Sequence, residues 1–165
     1  IVEQKEALYP VPAMTYVDMN LSVKWATCNI GAKKPEEGGL FFQWGRTDGY
    51  KYNDTERNFL SKRDYTTTSG TEYKQRETLK SEDDAAYQAT NGKFRMPTKE
   101  EIEELLEHTD NEYSELNGIN GRKFISKKYK NKWIFIPSAG SYSALSRFFH
   151  YFNETAYIWS ATHGI

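Results

Sequence analysis

Cysteine occurs once in the 165 residues, as Cys28. A single thiol rules out an internal disulfide and any zinc site built from several cysteines. Histidine is almost as scarce, and His108, His150 and His163 are too scattered to suggest a metal site. No apolar run approaches the length of a membrane-spanning helix, and no segment has the layout of a signal peptide. The chain opens on Ile1 rather than Met, the expectation for a mature or excised product, so the lack of a leader says nothing about compartment. A net charge of −1 provides no global field to attract nucleic acid or a membrane surface. Neither nucleic-acid binding nor membrane insertion is expected.

Large rings are what the chain has in quantity. Its 12 Tyr, 9 Phe and 4 Trp make up 15% of the residues, and such side chains bury area while keeping a polar tip for water or a ligand. The length suits one domain with a real core. Charge is segregated: residues 51–110 carry 10 basic and 14 acidic side chains, residues 111–165 carry 7 and 3.

Residues 1–14 mix charge with two prolines and read as a lead-in or linker, leaving 15–165 as the domain. Tyr16 and Val17, then Leu21, Val23, Trp25 and Thr27, alternate around an Asp18–Asn20 turn and predict a β-hairpin. AKKPEEGG (32–39) is a turn-rich loop, and LFFQWG (40–45) is expected to be a third strand. From Arg46 to about Lys80 no period is evident, and long irregular segments in compact domains are usually functional or mobile. Ser81 is expected to cap a helix over SEDDAAYQAT, with Glu82, Asp83 and Asp84 facing its positive end. Thr98 opens a second helix as a capping box with Glu101, and Ile102, Leu105 and Leu106 share its apolar face. In NGKFRMPT (91–98), Pro97 disfavours helix at Met96. Phe94 and Met96 can then face the core while Arg95 faces away. Asn117-Gly118 and Asn120-Gly121 are turn signals. KFISKK and KWIFIPS read as paired strands around Lys128–Asn131, and YIWSAT (157–162) as the last strand. Short strands at both ends with helices between them make the class α+β.

Several ordered stretches carry a resemblance. VDMNLSVKWATCNIGAKKPEEGG followed by FFQWGRT, then Asp83-Asp84-Ala85-Ala86, Arg95-Met96-Pro97-Thr98, Ile134-Phe135-Ile136-Pro137 and Tyr157-Ile158-Trp159-Ser160-Ala161-Thr162 run from Tyr16 to Thr162. Together they resemble the Fibrobacter succinogenes major paralogous domain family of Bacteroidetes and Fibrobacter proteins. The resemblance implies a C-type lectin-like fold, with two helices packed on short, mostly antiparallel strands. It also implies a secreted, surface-attached or phage-borne binding domain. The chain departs from the family pattern at Asn91-Gly92-Lys93-Phe94, where a Trp-Gly-X-X-Trp is usual. The family usually continues beyond its Trp-Ser-Ser-Thr to a closing strand, whereas this sequence stops at Ile165, so that either it is truncated or its sheet is completed some other way. A missing strand would leave an open sheet edge for self-association or docking.

The chemistry readable from the residues favours binding over catalysis. A formylglycine-generating-type oxidase needs paired thiols, and Cys28, expected in a strand beside Trp25, reads as a buried inert thiol. No G-x-S-x-G supplies a nucleophile elbow, and the acid pairs 83–84 and 100–101 fit helix first turns. Calcium-dependent sugar binding needs several gathered carboxylates, whereas Glu154 is the only acid near the expected C-terminal strands, so no metal and no cofactor is expected. The basic run Arg122, Lys123, Lys127, Lys128, Lys130 and Lys132 reads as a solvated hairpin rather than a phosphate track. SYSALSRFFHYFNETAY (141–157) combines Tyr, Ser and Arg in the manner of binding paratopes. Tyr142, Arg147, His150 and Tyr151 are the candidate ligand-binding residues, while Phe148, Phe149 and Phe152 can instead fill the core. The expected function is a non-enzymatic module for a protein or carbohydrate ligand. The alternatives are an assembly domain of a larger surface or phage polypeptide, and a degenerate formylglycine-generating-type enzyme.

Overall fold

A computed structural model describes residues 11–49, 52–53, 58–59, 77–143 and 148–163. Most of the lead-in expected at 1–14 and most of the aperiodic segment 46–80 lie outside them. The described elements form an α+β arrangement in which every strand pair is antiparallel.

The first hairpin forms where the alternation predicts it but is much shorter. β1 (Tyr16–Val17) pairs with β2 (Trp25–Ala26) in the register Tyr16↔Ala26 and Val17↔Trp25. Asp18 turns the chain by accepting the Asn20 N–H at 2.9 Å, and Asn20 takes a left-handed φ of 61°, which asparagine tolerates well. The ladder does not extend through residues 21–24, because Ser22 is drawn elsewhere. Its N–H and hydroxyl donate to the Glu104 carboxylate at 2.9 and 2.5 Å.

Residues 40–45 do not form the expected strand; only Phe41 makes an isolated bridge. The Arg46 N–H closes a turn on the Gln43 carbonyl, Gly45 takes φ 74°, and the Trp44 indole N–H donates to the Ser160 carbonyl at 2.8 Å. Rings reaching across the chain replace the ladder here. Cys28 likewise lies in a bend after β2, half-buried, rather than inside a strand. Two short strands follow, β3 (Tyr52–Asn53) and β4 (Asn58–Phe59), paired with each other.

Helix α1 (Ala85–Ala89) starts later than expected, and its cap is Asp84, whose carboxylate accepts the Tyr87 N–H. Ser81 and its neighbours form a turn in which the Asp83 N–H reaches the Lys80 carbonyl, so Glu82 and Asp83 precede the helix and do not line its first turn. Helix α2 (Lys99–His108) starts as predicted. The Glu101 N–H donates to Thr98 Oγ1, and the Thr98 N–H donates to the Glu101 carboxylate. The core lies on the Leu105 side, so Leu105 is 1% exposed while Leu106, expected on the buried face, is 46% exposed.

The largest sheet has the order β5-β6-β7. β5 (Thr109–Leu116) is an outer strand whose polar sequence hides it from periodicity. Asn117 and Gly118, with φ 50° and 83°, form the two-residue turn into β6 (Ile119–Ser126), as Asn-Gly predicts. The second pair, Asn120-Gly121, is not a turn and lies within β6. A Cβ on Gly121 would collide with the Phe135 ring and the Ile136 carbonyl, so glycine is needed there for close packing. β7 (Trp133–Pro137) follows the predicted Lys128–Asn131 turn, with Ser126 Oγ accepting the Tyr129 N–H at 3.0 Å. Met19, Leu105, Phe124 and Ile134 form the core cluster, with Val17, Leu21, Trp25 and Ile136 packed on it. Burying each such side chain contributes roughly 1.5–3 kcal/mol. Ser126 is fully buried, but its hydroxyl also donates to the Met19 carbonyl at 2.8 Å, so the burial leaves no orphan.

Beyond β7, β8 (Ser141–Ser143) pairs with β9 (Phe148–His150). YIWSAT is not a strand. The Ala161 N–H donates to the Pro97 carbonyl, the Leu79 N–H to the Ala161 carbonyl, and Thr78 and Thr162 share one bridge.

Candidate binding surface

Several buried or charged groups are occupied by the fold itself. Asp84, 4% exposed, caps α1 and also accepts the Met96 N–H at 2.9 and 3.2 Å. That one carboxylate ties the start of α1 to the segment that leads into α2. Arg95 leaves the core as expected and grips both Glu101 oxygens at 2.9 and 2.6 Å. The hydrogen bond to Glu101 holds the guanidinium above its ordinary pKa. The same bond from Arg95 lowers Glu101, against the opposing effect of burial, with the Thr98 N–H helping. Cys28 is pushed up by burial, with Glu37 and Glu36 adding to it and the Thr27 hydrogen bond opposing. A raised thiol is a poor nucleophile at neutral pH.

Five of the six basic side chains of the hairpin are engaged within the chain. Arg122 donates to Asn111 Oδ1 and stacks 4.3 Å from the Tyr113 ring centroid, and Lys123 lies 4.5 Å over Trp133. Lys127 donates to the Glu107 carbonyl, Lys128 to Asn20 Oδ1, and Lys130 pairs with Asp110 at 2.6 Å. Among the described residues, no group of three or more His, Cys, Asp or Glu could hold a metal ion.

The aromatic surface is built after β8. Tyr142 stands in β8 opposite Phe149; Arg147 lies outside the described residues. His150 ends β9, and Tyr151 follows with a left-handed φ of 59°, 54% exposed. The rings of His150 and Tyr151 are 5.8 Å apart, and those of Tyr151 and Tyr157 are 6.5 Å apart. The turn that sets this spacing is well anchored. The Glu154 and Thr155 N–H groups both donate to the Tyr151 carbonyl. Asn153, also left-handed at φ 61°, donates its N–H to the Ser138 carbonyl and accepts the Asn120 N–H at 2.6 Å.

Tyr157, Ile158 and Trp159 extend the surface, exposed by 57%, 44% and 53%. Trp159 is nevertheless held, its indole N–H donating to the Phe42 carbonyl at 2.8 Å. Sequence reasoning assigned these three to a strand and missed them as surface; three large apolar residues in a row were the available signal. His150 and Tyr151 are thus joined by Tyr157 and Trp159, which were not candidates.

Beside them runs an open trough of about 940 Å³, lined mainly by apolar side chains from β2, the 38–43 segment, β7 and residues 157–159. The Trp25 indole N–H, among its lining, is buried without an acceptor among the described residues. Comparison with family models, with curated proteins and with solved structures finds no match to this chain.

Proposed function

We propose that the protein is a non-enzymatic binding module of C-type lectin-like architecture, acting at a cell surface, in secreted form or on a phage particle. Its ligand, a protein or a glycan, is held without metal on the aromatic surface around His150, Tyr151 and Tyr157. Tyr142 and Arg147 are proposed as further contacts from their place in the sequence beside His150 and Tyr151. The lectin-like architecture and the location rest on the resemblance to the Fibrobacter succinogenes major paralogous domain. The α+β class with antiparallel strands is compatible with it.

The observation that carries the binding reading is the exposure of Tyr151, Phe152, Tyr157, Ile158 and Trp159 within one short stretch. Rings fixed by backbone anchors offer contact area at low entropic cost, which is what protein hot spots use. An assembly role is favoured by a different feature, the outer edge of β7, which has no strand partner among the described residues. The oxidase reading has less support, since Cys28 stands alone and its pKa is raised.

Glycan-array and surface-protein capture, each with and without EDTA, test the proposal. Binding that persists in EDTA and falls about tenfold or more in the Tyr151→Ala/Tyr157→Ala variant is expected. Binding lost to chelator, or undiminished in the variant, overturns it.

A further inference from the structure

The trough has a feature that an ordinary surface groove lacks. Ile134, Phe135 and Ile136 are consecutive in β7, and all three line it. Side chains of consecutive strand residues point to opposite faces, so a cavity touching all three lies along the strand's edge. Residues 23–26, which include β2, also line it consecutively. β7 is paired with β6 on one side, and β2 with β1 on one side. Among the described residues, neither outer edge has a backbone partner in the trough.

We propose that this trough is an acceptor groove for an extended segment of another polypeptide, which adds as a strand to the outer edge of β7. It goes beyond the aromatic surface: Tyr157, Ile158 and Trp159 border both, but the groups that would hold the segment are the main-chain donors and acceptors of β7. Main-chain donors and acceptors of an unpaired edge are matched by another strand. Strand spacing, layer spacing and rise together assign roughly 160 Å³ to each residue of packed extended chain. A cavity of about 940 Å³ therefore has room for a short extended segment of several residues.

Charge narrows the occupant further. The ionised side chains on the trough are Lys24, Lys93, Arg95 and Glu101. Arg95 and Glu101 neutralise each other, and Lys24, 4.8 Å over the Tyr16 ring, and Lys93 are exposed with no carboxylate partner among the described residues. The segment that fits alternates apolar and polar residues and carries an acidic residue beside its apolar stretch.

A phage-displayed library of short random linear peptides, panned on the intact chain, supplies the probe. Enriched peptides are expected to alternate apolar residues and to carry Asp or Glu at one end. N-methylation of alternate amides along one edge of the best binder is expected to weaken it by about tenfold or more, because main-chain hydrogen bonds are lost. The exposed Lys24→Glu/Lys93→Glu variant is expected to weaken it several-fold, with lysine-flanked peptide restoring the loss. Hydrogen exchange should slow at 23–26 and 133–137. Tyr151→Ala, which lies off the trough, leaves peptide binding unchanged, so failure here is separable from failure of the aromatic surface. No enrichment, binders without alternation, indifference to methylation on either edge, or protection confined to 150–155 overturns the proposal.

Discussion

The α2–β5–β6–β7 unit and the segment from Tyr151 to His163 are held in different ways. In the first, a ladder of eight register pairs between β5 and β6 and five between β6 and β7 runs over the Leu105, Phe124 and Ile134 core. In the second, no strand is present among the described residues. Its position comes from separate bonds to distant parts of the chain: Ala161 to Pro97, Asn153 to Ser138 and Asn120, and Trp159 to Phe42. A ladder over a core is cooperative and buries its apolar side chains. Point anchors fix a backbone path while leaving rings in water, which suits a surface that must meet a ligand.

The sharpest way to break the contrast is to open the core. Phe124→Ala should cost about 3–5 kcal/mol, seen as a lower urea midpoint. The circular dichroism of the strands and the near-ultraviolet signal of the tryptophans should be lost together. Separate transitions would mean that the anchored segment is stable without the sheet beneath it.

A smaller effect is expected at the start of α2, and it depends on pH. Glu101 has a lowered pKa through its bond from Arg95. Its contribution is present above the ordinary glutamate value of about 4.3 and is lost as pH falls through the depressed folded value. Glu101→Gln should cost about 1 kcal/mol at neutral pH, since the pair is partly solvated. The variant should also lose less stability than the parent between neutral pH and the acid range below the usual carboxylate pKa. Parallel acid curves in urea melts would contradict this account of the capping box.

The smallest is Trp159→Phe, which keeps an exposed ring and removes the donor to Phe42. About 1 kcal/mol or less should be lost from global stability. Amide exchange at 42 and 159–161 should quicken while the β5–β7 amides stay unchanged. A global acceleration would mean the two regions are one cooperative unit.

Legibility in the sequence follows the same division. The Thr98–Glu101 capping box, the Asn117-Gly118 turn and the Lys128–Asn131 turn were readable because each depends on residues a few positions apart. β5 was not, because an outer strand with a polar sequence shows little alternation. Asn120-Gly121 misled for a related reason: the pair is a turn signal locally, but Phe135 and Ile136 need the space beside Gly121. Of the candidate contact residues, Tyr151 and His150 stood out by composition. Tyr157 and Trp159 did not, since an aromatic run reads as a buried strand until its partners are known.

The sequence by itself determined where α2 begins, where the turns between β5, β6 and β7 fall, and that the chain is rich in amphipathic rings. Those follow from capping, φ preference and composition, all of them local. Tertiary structure decided that Asp84 serves both α1 and Met96, that Ser22 leaves its strand for Glu104, and that Trp159 is held by Phe42 yet half exposed. Such outcomes depend on groups up to 117 residues apart, and no local preference encodes which distant donor finds which acceptor.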